Sequence, residues 1–427
     1  MLPVDDLFEE PWWYAFEDEA LRDLIDTVLA QNLNIEIAHK NMEILGQRLR
    51  GVESNLFPRI EAQTGYRRGK QPEPTFSPTE GVQTELDDFE NISLGVELSY
   101  LLDVSGRVRL GRQAFRENIA AREAEVRSLY SGIIMQTIIQ WYSYGAALEQ
   151  LAIARDQYAY AQEQKILQKR RYMAGLGDRL SFEQARSAYY GAGQTVTDLT
   201  QDRDLAAMNL ALLSGDYPRS DREKPSRSFT AVELPPVPAV VPSDLLRRRP
   251  DIIAAEHELE QARLEVGVAR ADLFPTVTLS ASYSQATDEW GDLFSLADFT
   301  RSLGGQVVQT LFSGGEIRSS ISEQKLSYAA SILEYRQVAL DAFGEVEENL
   351  ARLHTAEENA TRLAEQVSSL TEIYGETALR YMRGVIPYDG YVESRNAAVE
   401  LEMAEVGMTL QRIILRLELM HSMGGLW

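Results

Sequence analysis

Asp389 and Glu393 stand four residues apart in "RYMRGVIPYDGYVES", close behind a glycine and a proline. On a helix that spacing sets both carboxylates on one face. There they could hold a cation, or simply complement the partial positive charge of a helix N-terminus. Catalysis would need more company than this. His39, His257, His354 and His421 are scattered, with no second His or Cys at ligand spacing, and the chain has no cysteine. The pattern therefore offers no zinc or copper site and no thiol nucleophile. There is no Walker loop, and the "GLGD" and "SGG" fragments are weak as phosphate cradles. The remaining Asp and Glu pairs mostly solvate the surfaces of long helices. The expectation is no metal, no cofactor and no enzymatic reaction.

The elements that position such a pair follow from composition and punctuation. With 427 residues the chain can hold two or three ordinary domains or one elongated one. A formal charge of −23, with basic runs no longer than Arg247-Arg248-Arg249, argues against nucleic acid, which needs clustered cations. No apolar run reaches eighteen residues, so no helix of this chain is expected to span a bilayer. Met1-Leu2-Pro3 starts without a basic and apolar leader, so an exported chain would have lost its signal.

The chain is internally duplicated. Leu56-Phe57-Pro58 recurs as Leu273-Phe274-Pro275, 217 residues later (274 − 57). "RYMAG", ending at Gly175, recurs as "RYMRG", ending at Gly384, an offset of 209 (384 − 175). Arg186 and Arg109 match Arg395 and Arg318 at the same offset. The first copy thus carries eight extra residues (217 − 209), expected in a polar, Pro-rich exposed loop around "KQPEPTFSPTEGVQTELDD".

Residues 1–215 form the first repeat and 243–427 the second. Residues 216–242 form a linker within the stretch Pro218–Pro250, which holds seven of the fifteen prolines. Each copy reads helix, β-hairpin (about 57–104 and 274–313), long helix and shorter return helix. Asn34 and Asp251 are the expected caps of the opening helices. Phe57-Pro58 and Phe274-Pro275 stop them.

The helical stretches from about Gly106 to Tyr172 and from about Gly315 to Tyr381 have roughly 65 residues, on the order of 100 Å of rod. Apolar positions such as Phe115, Ile119, Val126, Tyr130, Ile134, Trp141 and Leu151 spread beyond one narrow stripe, as in a helix with neighbours on two sides. An antiparallel coiled coil reads the same way. The strands alternate: Ile92, Leu94, Val96, Leu98 and Tyr100 oppose Asn91, Ser93, Gly95, Glu97 and Ser99. Lipid-facing strands alternate so, and so do half-buried soluble ones. Four strands cannot close a barrel alone. A membrane reading therefore requires oligomerisation, and the competing reading is a soluble coiled-coil scaffold or adaptor with a small β-domain.

"DLLRRRPDIIAAEHELEQARLEVGVARADLFPTVTLSASY" and "PWWYAFEDEALRDLIDTVLAQNLNIEIA" closely resemble the outer-membrane efflux protein family, the TolC-like exit ducts, and within it the OprM-like branch. The resemblance covers nearly the whole chain. It implies a mainly α protein with membrane β structure. Three copies would share one 12-stranded outer-membrane β-barrel above a long α-helical periplasmic barrel. The implied function is a passive duct for drugs, dyes or detergents. The implied partners are a periplasmic adaptor, an inner-membrane efflux transporter and outer-membrane lipid. That branch begins at a lipidated cysteine, so its anchor here is expected either outside this sequence or replaced by the barrel.

The resemblance also assigns roles. Glu393 falls where relatives carry a pore-facing aspartate, with Asp389 one turn earlier; three copies would form a ring of negative potential. Arg171, Tyr172, Arg380 and Tyr381 would tie helix pairs at the constriction, or else stand as an exposed Arg and a packed Tyr at each helix end. Gly175 and Gly384 permit left-handed turns and mark the adaptor's footprint. Arg248, Arg249, Pro250 and Asp251 read as a structural corner, the arginines serving nearby carboxylates.

Overall fold

The computed structural model describes residues 18–77, 81–218, 248–293 and 299–424, with Trp13, Phe16, Phe229 and Ser295, and only the backbone over 71–77 and 81–87. Most of the expected linker lies outside the described residues. Two helices precede the first strand. Asp18 caps α1 (Glu19–Gln31) by accepting from the Leu21 amide, and α1 buries Leu21, Ile25 and Val28. After one residue α2 (Leu33–Ser54) begins. Its cap is Asn32 and not Asn34, which lies inside the first turn. Asn32 Oδ1 accepts from the amides of Asn34 at 2.9 Å and Ile35 at 3.4 Å, while its amide group donates to the Leu213 carbonyl at 2.8 Å. Burial of Asn32 between two helix ends selects it, a tertiary effect that the local sequence "QNLN" does not display.

Proline then ends α2 as expected, and β1 (Arg59–Ser77) and β2 (Gly81–Leu102) follow. Next come α3 (Arg107–Met173) and α4 (Arg179–Leu213). The second copy repeats the order with α5 (Pro250–Ala271), β3 (Thr276–Thr287), β4 (Thr300–Val308), α6 (Glu316–Met382) and α7 (Tyr388–Ser422). α3 and α6 both have 67 residues, and α4 and α7 both have 35, so the duplication extends to the length of each hairpin arm. Pro250 occupies the first helical position of α5, where a missing N–H costs nothing. Asp251 is therefore a first-turn residue that accepts from the Ile252 amide at 2.8 Å, and Arg249 takes the place before the helix.

The chain divides into two compact units, residues 1–41, 122–254 and 336–427, and residues 42–121 and 255–335. In the first, Trp13, Phe16, Leu21, Ile25, Ile134, Ile138, Leu151 and Leu210 are among the most buried side chains. Val346, Leu353, Ala356, Leu415, Leu419 and Met423 form another buried cluster, with Phe343 packed against it. Each such Val, Leu, Ile, Phe or Met side chain contributes about 1.5–3 kcal/mol on burial.

The second unit contains one antiparallel sheet in the order β1-β2-β3-β4. The eight-residue excess is not a loop. β1 and β2 stay paired from Arg59↔Ser99 to Ser77↔Gly81, giving strands of 19 and 22 residues against 12 and 9 in the second hairpin. Pro72 and Pro74 are tolerated because β1 is an edge strand and the two positions, two apart, turn their missing N–H the same way.

Register sorts the faces. Ile60 pairs with Leu98, Leu98 with Ala281, and Ala281 with Leu303, making one apolar row across four strands. Ile60, Val96, Leu279, Leu303 and Val307 on this face are exposed. On the other face Gln63 donates to Glu97 at 3.1 Å, and the hydroxyls of Ser282 and Ser302 are 2.7 Å apart. β4 alternates poorly in the sequence because Gly304 and Gly305 interrupt it, and pairing with β3 restores its two faces. Among the described residues no helix is long and apolar enough to cross a membrane.

Candidate functional site

The two helical hairpins end on the same backbone device. At the first tip the Leu176 amide donates to the Arg171 carbonyl at 2.9 Å and the Gly175 amide to the Tyr172 carbonyl at 3.1 Å. At the second, Val385 donates to Arg380 at 2.9 Å and Gly384 to Tyr381 at 2.9 Å. This is a Schellman closure, which needs a left-handed residue after the helix. Gly175 has φ 71° and Gly384 φ 73°, so the expected left-handed turns are present. Apolar side chains crowd these turns without cover. Met173 (75% exposed), Leu176 and Leu180 mark the first, and Met382 and Val385 the second.

Above the turns the tips differ. In the second, Tyr381 stacks on Tyr391 (ring centres 5.0 Å apart, 8° between planes), and Tyr391 stacks on Tyr374 at 5.9 Å. Arg395 places its guanidinium 3.9 Å from the centre of the Tyr160 ring and donates to the Tyr374 hydroxyl at 3.2 Å. Burial, opposed by a hydrogen bond with Tyr160 and reinforced by Tyr381, Tyr391 and Asp389, pushes the Tyr388 phenol up to about 12, and burial also raises the Tyr160 phenol. Gln157 on α3 donates to Asn396 on α7 at 2.8 Å. Thus Gln157, Tyr160, Arg395 and Asn396 join the first-copy helix to the second-copy helix. Sequence reasoning missed this set. Its one visible signal was the Arg186/Arg395 repeat.

The first hairpin carries a different set: Tyr158 stacks on Tyr189 with ring centres 5.0 Å apart, and Lys165 places its ammonium 3.2 Å from the centre of the Tyr189 ring. Asp178 caps α4 by accepting from the Ser181 amide at 2.7 Å, whereas Pro387 at the equivalent start of α7 offers no side-chain cap. Tyr172 stacks on Phe182 at 6.1 Å, and Arg380 on the second tip pairs with Glu376 along its own helix at 2.8 Å. Arg171 is exposed and lends its carbonyl to the turn. Within the chain, then, Arg171, Tyr172, Arg380 and Tyr381 are engaged inside their own hairpins.

Asp389 and Glu393 are exposed and lie together, as their spacing requires, on one wall of a groove of about 520 Å³ between α3, α4 and α7. Gln157 and Gln164 on α3 and Gln184 on α4 line its other walls. The positions matching Asp389 and Glu393 in the first copy are Leu180 and Gln184, so the carboxylates belong to one copy alone.

At the far ends of the return helices the Arg-Arg-Pro-Asp stretch forms a corner. Arg249, 9% exposed, donates to the Ser422 carbonyl at 2.6 Å, to Asp251 at 2.7 and 3.1 Å and to Glu345 at 2.8 Å. Burial raises the Asp251 carboxyl, but the Arg249 bonds and charge outweigh it and hold the group below the ordinary carboxylate range. Arg248 presses against Gly424, where a Cβ would come within 3.1 Å of its side chain. Three of the four histidines serve packing: His39 meets the Tyr130 hydroxyl at 2.6 Å, His257 meets Glu117 at 2.7 Å and His421 meets Ser131 at 3.1 Å, while His354 is exposed beside Glu358 at 3.3 Å.

Long paired α-hairpins, joined through proline stops to an antiparallel sheet with one apolar and one polar face, define the TolC-like class of outer-membrane channel folds. The chain belongs to the outer membrane efflux protein family, whose sequence pattern matches residues 24–216 and 241–425. It is 28% identical over 421 residues to the probable efflux pump outer membrane protein TtgC of Pseudomonas putida, covering 98% of this chain and 86% of that protein. With the outer membrane protein OprJ of Pseudomonas aeruginosa it shares 26% over 422 residues, covering 97% and 86%. The fold matches the Campylobacter jejuni CmeC outer membrane channel with a TM-score of 0.86 at 21% identity, covering 97% of this chain and 87% of that one. It matches the Vibrio cholerae outer membrane protein VceC with 0.83 at 20% identity, covering 97% and 98%.

Proposed function

We propose that this chain is one protomer of a homotrimeric exit duct that carries drugs, dyes or detergents across the bacterial outer membrane. The observation that carries the reading is the four-stranded sheet, apolar and exposed on one face, polar on the other, with β1 and β4 as open edges. Unpaired strand edges in lipid leave backbone groups unsatisfied, and closure is the remedy. Three copies supply twelve strands, within the range of known barrels. The helices extend into the periplasm from the end of the sheet where all four strands meet proline stops or glycine turns.

The tips serve two further roles in this reading. The uncovered Met173, Leu176, Met382 and Val385 around Gly175 and Gly384 give a periplasmic adaptor its footprint, and through it an inner-membrane efflux transporter. Asp389 and Glu393, repeated three times around the axis, favour cationic solutes at the constriction. Arg171, Tyr172, Arg380 and Tyr381 hold the hairpin ends that carry them. The work is conduction, not catalysis. Membrane extraction tests the reading: the full chain should need detergent and sediment as a trimer. A protein that remains soluble and monomeric without detergent would leave only the scaffold alternative.

A further inference from the structure

Leu311, 93% exposed, and Phe312, 89%, are the two most exposed large apolar side chains among the described residues. They follow β4, the free edge of the sheet. At the opposite free edge, where β1 begins, a groove of about 810 Å³ opens beside Phe57, Pro58 and Arg59, backed by Leu101 and Val108. Internal duplication says how these two features meet. Inside the chain β2 leaves the sheet beside the start of β3, with Leu102 opposite Val277. An offset of 209 carries Leu102 to Leu311, and an offset of 217 carries Val277 back to Ile60.

We infer that β4 of one copy pairs antiparallel with β1 of the next in the register Leu311↔Ile60, so that Phe312 lies opposite Arg59 at the rim of that groove. The inference rests on the shared-barrel reading and adds its register. Parity supports it independently. The register places Leu311, Gln309, Val307 and Gly305 opposite Ile60, Ala62, Thr64 and Tyr66, which is the apolar row of β1. The odd-numbered residues of β4 form the apolar row within the chain, since Val307 pairs with Val277 and Leu303 with Ala281. A slip of one residue would set apolar against polar along the whole seam. An aromatic ring opposite a guanidinium is also a favourable cross-strand pair.

The absence of cysteine makes the test clean. Two double variants, Arg59→Cys with Phe312→Cys and Ile60→Cys with Leu311→Cys, sample both faces of the seam, one of which is the closely spaced kind. Shifted controls combine Arg59→Cys with Thr310→Cys and Ile60→Cys with Gln309→Cys. Mild oxidation of the membrane-embedded protein should give covalent trimers from a register pair, on the order of ten-fold more than from its control. The reason is that a two-residue slip moves the partner by about 7 Å, beyond disulfide reach. Stronger linking by the controls, or trimers by size with no linking in any variant, overturns the register and leaves the shared barrel standing. Monomers by size in detergent overturn both.

Discussion

The two hairpin tips share a backbone and differ in chemistry. Both end in the same pair of closing hydrogen bonds around a left-handed glycine, on arms of equal length. Yet the second carries the Tyr381–Tyr391–Tyr374 stack, Arg395 over Tyr160 and the two carboxylates, while the first carries Tyr172 on Phe182, the Tyr158–Tyr189 pair with Lys165 over it, and Asp178 as a cap. Duplication has preserved what the chain needs in order to turn, and left free what faces solvent and partner. In the proposed duct, the exposed carboxylates of the second copy are the candidates for cation selectivity.

The largest expected effect tests what the tips share. Gly175→Val and Gly384→Val should each cost about 2 kcal/mol, because a branched residue at positive φ is strained and no neighbouring atom lies within 4 Å to add to it. Hydrogen exchange at 170–180 and 379–389 would read this as local opening. Clearly unequal costs would break the equivalence of the scaffolds.

The next test separates the tips. Arg395→Ala removes a stacked guanidinium and a hydrogen bond, for a loss of about 1.5 kcal/mol. Arg186→Ala, at the matching position, removes an exposed i,i+3 pair with Glu183 and should change stability by less than about 0.5 kcal/mol. Denaturant midpoints in detergent would measure both. Similar losses would mean that the second tip owes nothing to Arg395.

Smaller still is the cap. Asp178→Ala should fray the start of α4 by about 1 kcal/mol, with Pro387→Ala nearly silent because Pro387 makes no side-chain cap bond. Proteolysis near 178–182 would report it. Alkali should also tell the tips apart. Tyr388 is raised by burial, so its neutral form is favoured in the folded state. That contribution is complete below the ordinary phenol range, near 10, and is lost as pH rises towards about 12. Tyr388→Phe should flatten the alkaline loosening of residues 388–396 seen by hydrogen exchange.

Much of this architecture was legible in the sequence, because proline stops, left-handed glycines and strand alternation are local signals. Phe57-Pro58, Phe274-Pro275, Gly175 and Gly384 each announce themselves within five residues. What was hidden depends on which faces meet. Asn32 outcompetes Asn34 as a cap because it also reaches Leu213. Arg249 finds Glu345, 96 residues away, and Tyr160 finds Arg395 across the duplication. The Pro-rich stretch after Lys70 looked like a loop because prolines usually end strands, but an edge strand tolerates them. Asp389 and Glu393 share a face by spacing alone.

Planar-bilayer recording of the purified full-length protein under a potassium chloride gradient tests the central claim most directly. The account predicts discrete conducting steps with a cation-preferring reversal potential. The double variant Asp389→Ala with Glu393→Ala should move that potential towards zero, while Leu180→Ala with Gln184→Ala should leave it in place. Folded protein that inserts and gives no conducting steps would contradict the duct itself. Steps whose selectivity ignores Asp389 and Glu393 would contradict the division of labour between the tips.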